Sequence, residues 1–172
     1  QPTETAHASI KGTIGSFDLY RAEVNVSGPV RDTGLSYRAT YAGTDAGGPR
    51  RFDYLEEQFF GSTLVYQLGD RSSLQFDFSF LYKDEIVGAT GTDVNGKLMQ
   101  LPDDFSYFEP WVQGVNWYYF STLTYKVAIT DNLQVQVVGN FNRSNNDWDR
   151  VTPIGRPDPV TNLLQRNFQE LF

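Results

Sequence analysis

The 172-residue sequence contains no cysteine and only one histidine. Without cysteine it cannot form a disulfide framework, a thiol nucleophile or a zinc–thiolate site. Basic residues are also scarce: 14 Lys and Arg stand against 21 Asp and Glu, a formal net charge of −7. General nucleic-acid binding needs a basic footprint, so this composition argues against a nucleic-acid partner.

Long hydrophobic runs are missing as well. No apolar stretch approaches the roughly 20 residues that a membrane-spanning helix needs. Aromatic residues nevertheless make up 15% of the chain, while its mean hydropathy is −0.43. The order of the residues along the chain explains how these two properties coexist.

Apolar and polar side chains alternate along most of the sequence. In Leu74–Lys83, for example, Phe76 and Phe78 alternate with Gln75 and Asp77. A period of two predicts β-strands with two unlike faces, and no segment has a convincing helical period. The strands predicted in this way are Tyr20–Ser27, Leu35–Ala42, Phe59–Leu68, Leu74–Lys83, Trp117–Ile129 and Leu133–Asn142, with weaker ones near Ser9–Ser16 and within Leu163–Phe172.

These predicted strands are long, about 8 to 13 residues, whereas a strand of a soluble protein typically has about 5 or 6. A tilted membrane-spanning strand needs about 9 to 11 residues, so the lengths favour a membrane protein. A soluble β-sandwich shows the same alternation, and it remains an alternative at this point.

The connections between the strands alternate between short and long. Short, turn-like links are predicted at Gly28–Gly34, Gly69–Ser72 and Thr130–Asn132, and long ones at Gly43–Gln58, Asp84–Asn116 and Arg143–Asn162. In an antiparallel up-and-down sheet, alternate links lie at opposite ends. Short turns at one end and long loops at the other are typical of outer-membrane β-barrels.

The aromatic residues are expected near the two ends of the strands, with aliphatic residues between them. Amphipathic rings favour the headgroup level of a membrane, which gives barrels two aromatic girdles. The pattern therefore predicts an all-β, antiparallel up-and-down transmembrane β-barrel. The predicted girdle residues are Tyr37 and Tyr66 at the turn end, and Phe60, Tyr82, Trp117, Tyr119 and Phe141 at the loop end.

Three segments, in order, resemble a known family. Ile14–Val30 reads IGSFDLYRAEVNVSGPV and is followed by RDTGLSYRATY; Leu101–Pro110 reads LPDDFSYFEP; Leu123–Arg143 reads LTYKVAITDNLQVQVVGNFNR. The series resembles the first barrel strands of TonB-dependent outer-membrane receptors, notably the ferric-siderophore branch.

The resemblance implies a bacterial outer-membrane receptor that imports a ferric siderophore or similar metal chelate. Such receptors have a 22-stranded barrel, and a TonB-type energy-coupling protein acts on them through a plug domain. Residues 1–172 are accordingly predicted to be a barrel segment of seven or eight strands, in contact with outer-membrane lipid, with the plug and remaining strands absent from this chain. An autonomous eight-stranded barrel with a structural or adhesive role is the length-compatible alternative.

Catalysis has little support in the sequence. The single histidine, His7, lies in a polar N-terminal segment, which is a poor position for an acid–base catalyst. The carboxylate pairs Glu56–Glu57 and Asp103–Asp104 and the oxygen-rich segment Asn145–Arg150 fit solvated surface better than an acid–base or metal site. We therefore predict no enzyme activity, no cofactor and no metal site.

Binding has better support, because aromatic and Arg side chains suit planar, anionic ferric chelates. The predicted long loops carry such residues together with Phe52. The candidate ligand-binding residues are Arg50, Arg51, Tyr54, Phe105, Tyr107, Phe108, Trp111, Trp148 and Arg150. The residues predicted to face the barrel lumen are Arg21, Glu23, Arg38, Asp77 and Lys126.

Overall fold

A computed structural model describes residues 2–86, 93–94, 97–98, 103, 111–154 and 165–171. It is all-β in these residues, and no helix long and apolar enough to cross a membrane occurs among them. The strands are β1 (His7–Gly15), β2 (Leu19–Val30), β3 (Leu35–Gly47), β4 (Tyr54–Gly69), β5 (Ser72–Ile86), β6 (Asp93–Val94), β7 (Lys97–Leu98), β8 (Gly114–Thr130), β9 (Leu133–Ile154) and β10 (Gln165–Leu171).

Eight of the strands form one antiparallel sheet in the order β1-β2-β3-β4-β5-β8-β9-β10. Within this sheet each strand pairs with the sheet strand that follows it along the chain. β6 and β7 lie between β5 and β8 in the sequence and form a separate two-stranded hairpin. The prediction of seven or eight up-and-down strands is confirmed. The β6–β7 hairpin was not predicted.

The sheet is open within the described strands: β1 pairs only with β2, and β10 only with β9. An autonomous eight-stranded barrel requires the first strand to pair with the last, so this arrangement argues against that alternative. A β-sandwich requires a second sheet packed on the first, whereas all the long described strands lie in one sheet. This finding argues against the soluble alternative.

The sheet has two unlike faces, which we name by their residues. The polar face contains Arg21, Arg38 and Asp77, and the aromatic face contains Phe60 and Trp117; the strand registers place each set on one side. On the polar face, Ala42, Thr44, Asn116 and Thr124 are buried without a second layer above them.

The aromatic face is the exposed one. All seven predicted girdle residues belong to it, as do Ile10, Val24, Leu64, Leu123 and Val137, which are exposed large hydrophobic residues. Ring contacts join its central strands: the Tyr82 and Trp117 centroids lie 4.6 Å apart, and those of Phe80 and Tyr119 lie 5.0 Å apart. An exposed apolar surface of this extent requires an apolar surrounding.

Two of the predicted long loops are largely strand in the structure. β3 and β4 leave only residues 48–53 of the predicted loop Gly43–Gln58, and β9 continues to Ile154, through most of the predicted loop Arg143–Asn162. In these two segments the apolar–polar alternation fails because the residues on both faces are polar, as Thr44 and Asp45 are. Strands that extend beyond an apolar band into water need no apolar face.

Candidate functional site

All five residues predicted to face the lumen share the polar face. Arg21 is opposite Thr44, and Arg38, Thr63 and Asp77 follow one another across β3, β4 and β5. Lys126 lies on the same side of β8, opposite Ser73. The sequence alternation therefore assigned these side chains to one common surface.

Arg21 is the centre of a polar network on strands β2, β3 and β4. Its Nη1 atom donates to Thr44 Oγ1 at 2.7 Å and lies 3.5 Å from Glu57 Oε1, while Nη2 lies 3.7 Å from Glu23 Oε2. Glu23 also accepts from Asn25 Nδ2 at 2.9 Å. These side chains are partly exposed, so the network fixes their positions while adding little stability.

A recess of about 360 Å³ lies on the same face, closer to the tight turns than the Arg21 network. It combines two aromatic rings with charged and hydroxyl groups, and its lining includes Arg38, Thr40, Phe59, Thr63, Asp77, Ser79 and Phe120. Asp77 accepts hydrogen bonds from Thr63 Oγ1 and Gln75 Nε2, both at 2.7 Å. Arg38 makes no ion pair with any described residue, so its guanidinium is available to an anion.

The polar face also carries an aromatic track that the sequence reasoning missed. Tyr118 and Phe120 project from β8 on this face, Trp148 lies on the same face of β9 opposite Gly114, nearer the loop end, and all three are exposed. The run Trp117–Tyr118–Tyr119–Phe120 is aromatic on both faces of the strand. The sequence did contain a signal of this track. All four residues of the run are aromatic, so the expected alternation between aromatic and polar side chains fails in it.

Trp148 is held in place by Asn116. The indole Nε1 donates to Asn116 Oδ1 at 2.9 Å, and Asn116 is only 3% exposed. The ring also lies against Gly114, where an added Cβ would come within 3.0 Å of Trp148 Cε3 and 2.8 Å of the Glu85 carbonyl oxygen. Because Gly114 has no side chain, the indole ring can lie against the strand at this position.

Replacing Asn116 with alanine is expected to lower the free energy of unfolding by about 1–2 kcal/mol, because the Trp148 Nε1–H group loses its buried acceptor. Urea unfolding of the full-length protein in lipid vesicles measures this change. Asn140→Ala is the matched control, since Asn140 accepts only an exposed bond from Thr122 Oγ1. Equal effects of the two substitutions would contradict the assignment.

The structure separates the predicted loop residues. Arg50 and Arg51 lie in the 48–53 loop, where the Arg51 Cζ atom is 5.5 Å from the centroid of the Phe52 ring. Trp111 is exposed just before β8. Tyr54 and Trp148 are strand residues rather than loop residues, and they lie on opposite faces.

Tyr54 is on the aromatic face, where its hydroxyl donates to Asp84 Oδ1 at 2.6 Å. It packs against Ile86 and Val112, so it is turned away from the polar face. Arg150 lies within β9, but its side chain is outside the described residues, as are Phe105, Tyr107 and Phe108.

The groups considered for acid–base or metal chemistry are not assembled into a site. Glu56 and Glu57 point to opposite faces of β4, and Asn145–Arg150 is extended strand. His7, in the polar N-terminal segment, begins β1 opposite Ser27. Across the residues that the structure describes, no three His, Asp or Glu side chains could hold a metal ion together.

Comparison with known sequences finds no match, neither to a protein-family model nor to a curated protein. Comparison with solved structures does find matches. The ferripyoverdine receptor of the Pseudomonas aeruginosa outer membrane, bound to ferripyoverdine, has a TM-score of 0.90 at 17% identity, over 99% of this chain and 23% of the receptor.

Two further receptors have the same fold in this region. The ferric-catecholate import receptor Fiu of E. coli K12, in its closed form, has a TM-score of 0.82 at 14% identity, over 99% of this chain and 27% of Fiu. The siderophore receptor PiuA of Acinetobacter baumannii has a TM-score of 0.78 at 12% identity, over 88% of this chain and 23% of PiuA. The chain spans about a quarter of each receptor and has the fold of that part of their barrels.

Proposed function

We propose that this chain, with the fold of a barrel segment of outer-membrane siderophore receptors, is part of the wall of a receptor that imports a ferric siderophore or a similar metal chelate. The observation that carries the proposal is the fold match over 99% of the chain. In this proposal the aromatic face contacts outer-membrane lipid and the polar face lines the lumen.

The polar face has the chemistry that such a ligand requires. Trp148 and Tyr118 offer exposed rings on which planar iron-chelating groups can stack. Arg50 and Arg51, in the loop at the same end of the sheet, offer guanidinium groups to an anionic chelate. Cation–π contacts and bidentate guanidinium bonds both suit this ligand class.

Transport in this proposal depends on parts outside these 172 residues. A plug domain would fill the barrel and receive energy from a TonB-type coupling protein. Arg21, Glu23, Arg38, Asp77 and Lys126 would then contact the plug through hydrogen bonds and ion pairs. Arg38 and Lys126 are the best placed of them to accept an acidic plug residue, since neither has an ion-pair partner among the described residues. Arg38 also lines the recess with Phe59 and Phe120, where it can bind the ligand itself.

Deletion of the gene tests the proposal in iron-limited cells. We expect the protein in the outer-membrane fraction, and we expect deletion to abolish uptake of ⁵⁵Fe from one chelate in a panel of catecholates, hydroxamates and mixed chelates. A protonophore should abolish the same uptake, and the full-length gene should restore it. Unchanged uptake of every chelate, or recovery of the protein in the soluble fraction, would refute the proposal.

A further inference from the structure

A groove with aromatic walls lies on the aromatic face of β5, β8 and β9. Its volume is about 640 Å³. Its floor is Ser121, whose short side chain lies between Phe78 and Phe141 in the sheet register. On this face it is lined by Phe76, Phe78, Tyr119, Ser121, Phe141, Arg143 and Asn145.

The only cation in the groove is Arg143, which is exposed at its loop-side end. The register places it opposite Tyr119, on the aromatic face. Among the strand side chains that the structure describes it is the only cation on that face, because Lys11, Arg21, Arg38, Lys83 and Lys126 lie on the polar face. It makes no ion pair with any described residue, and an unpaired guanidinium beside an apolar groove complements an anionic group with an apolar tail.

The position of Arg143 along β9 matches the level of lipid headgroups. It lies ten positions beyond Leu133, where β9 begins after the Asp131–Asn132 turn. At about 3.3 Å per residue and a tilt of about 40°, it is about 25 Å above that turn, which is the height of the apolar band of a barrel. The apolar side chains of β9, among them Val137 and Phe141, lie below it.

We propose that this groove binds one acyl chain of a phosphorylated, multiply acylated lipid of the outer leaflet, and that Arg143 binds its phosphate. Ser121 leaves room for the chain between Phe78 and Phe141, and the Asn145 side chain offers an amide donor beside the phosphate. The inference rests on the proposed function for its membrane and its orientation, with the loops facing outward.

Carboxylates on the same face limit where the phosphate can lie. Asp84 and Asp147 occupy the loop side of the groove, at a register level four residues beyond that of Tyr119 and Arg143. Like-charge repulsion disfavours a phosphate at that level, and the aromatic walls disfavour one deeper in the groove. The level of Arg143 is therefore the favourable one.

Lipid binding to the full-length protein tests the inference. The protein is purified from outer membranes, delipidated and titrated with deep-rough lipopolysaccharide, and native mass spectrometry counts the bound lipid. We expect Arg143→Ala to weaken binding at least tenfold, through loss of a charge-assisted contact. Ser121→Leu, which keeps every charge and fills the floor of the groove, should also weaken it. Arg71→Ala is the matched control, because Arg71 is exposed at the turn end and pairs with Asp131.

The lipid controls identify the source of the phosphate. Dephosphorylated lipopolysaccharide should bind the wild-type protein no better than intact lipopolysaccharide binds Arg143→Ala. Equal binding of phosphatidylglycerol vesicles, or unchanged binding by both groove variants, would overturn the inference. Heat-modifiable migration in gels confirms that each variant is folded. Because the assay does not involve iron, a protein that fails in chelate uptake can still pass this test, which keeps the two proposals distinguishable.

Discussion

Val137→Arg is expected to destabilise the membrane-inserted protein by about 2–4 kcal/mol, the cost of Arg near the middle of the lipid-facing surface of a barrel. Val137 is on the aromatic face of β9 and is 60% exposed. In water, a substitution at such an exposed position would change stability by less than about 0.5 kcal/mol. The large effect is therefore specific to a lipid surrounding.

Gln136→Arg is the matched control, since Gln136 is the adjacent residue, is also exposed and lies on the polar face opposite Lys126. We expect it to change stability by less than about 1 kcal/mol, because a water-filled lumen tolerates charge. Urea unfolding in lipid vesicles measures both variants. Equal effects of the two substitutions would contradict the assignment of the faces.

Joint replacement of Tyr118 and Trp148 by alanine is expected to weaken binding of the ferric chelate on the order of a hundredfold. Each ring contributes about 1–1.5 kcal/mol through aromatic or cation–π contact, and about 1.4 kcal/mol corresponds to tenfold in affinity. Both rings are exposed on the polar face, at 41% and 38%. Binding of the chelate identified by the uptake panel is measured by fluorescence titration of the purified full-length protein.

Tyr119→Ala provides the control for this prediction. Tyr119 is the next residue along β8 and is 37% exposed, close to the value for Tyr118, but it lies on the aromatic face. We expect its replacement to leave chelate affinity unchanged. An equal loss of chelate affinity in both variants would indicate a general defect of β8. Unchanged affinity in the double variant would show that the aromatic track does not contact the ligand.

Much of the fold could be predicted from the sequence, because the side-chain period of a strand is two. The alternation of Leu74–Lys83 places Phe76 and Asp77 on opposite faces, and the structure confirms it. The tight turns at Asp70–Arg71 and Asp131–Asn132 lie within the predicted links. Strand number and the composition of the two faces follow from these local rules.

The extent of the strands could not be predicted in the same way. β4 begins at Tyr54, and the first residues after it have no apolar alternation to reveal a strand. What extends them is hydrogen bonding to neighbouring strands, such as Glu57 opposite Lys83, which is a tertiary property. For the same reason Trp148 was interpreted as a loop residue, although it is a strand residue held by Asn116.

The candidate site was only partly predictable. Charge and alternation place Arg38 and Asp77 on one face, but they do not show that Phe59 and Phe120 share a recess with them. That proximity depends on the register across β3, β4, β5 and β8. The register also places Arg143 beside Tyr119, a pair that is far apart in the sequence.

Single-cysteine scanning of β9 tests the central claim, that this sheet is a membrane-spanning wall with its polar face toward the lumen. The 172 residues contain no cysteine, so each introduced thiol in them can be spin-labelled individually. Labels are placed from residue 134 to residue 142 of the full-length protein in lipid vesicles. We predict that collision with oxygen is high at positions 135, 137, 139 and 141, and that collision with a water-soluble nickel chelate is high at the even positions. Equal access of the nickel chelate to both sets would contradict the claim.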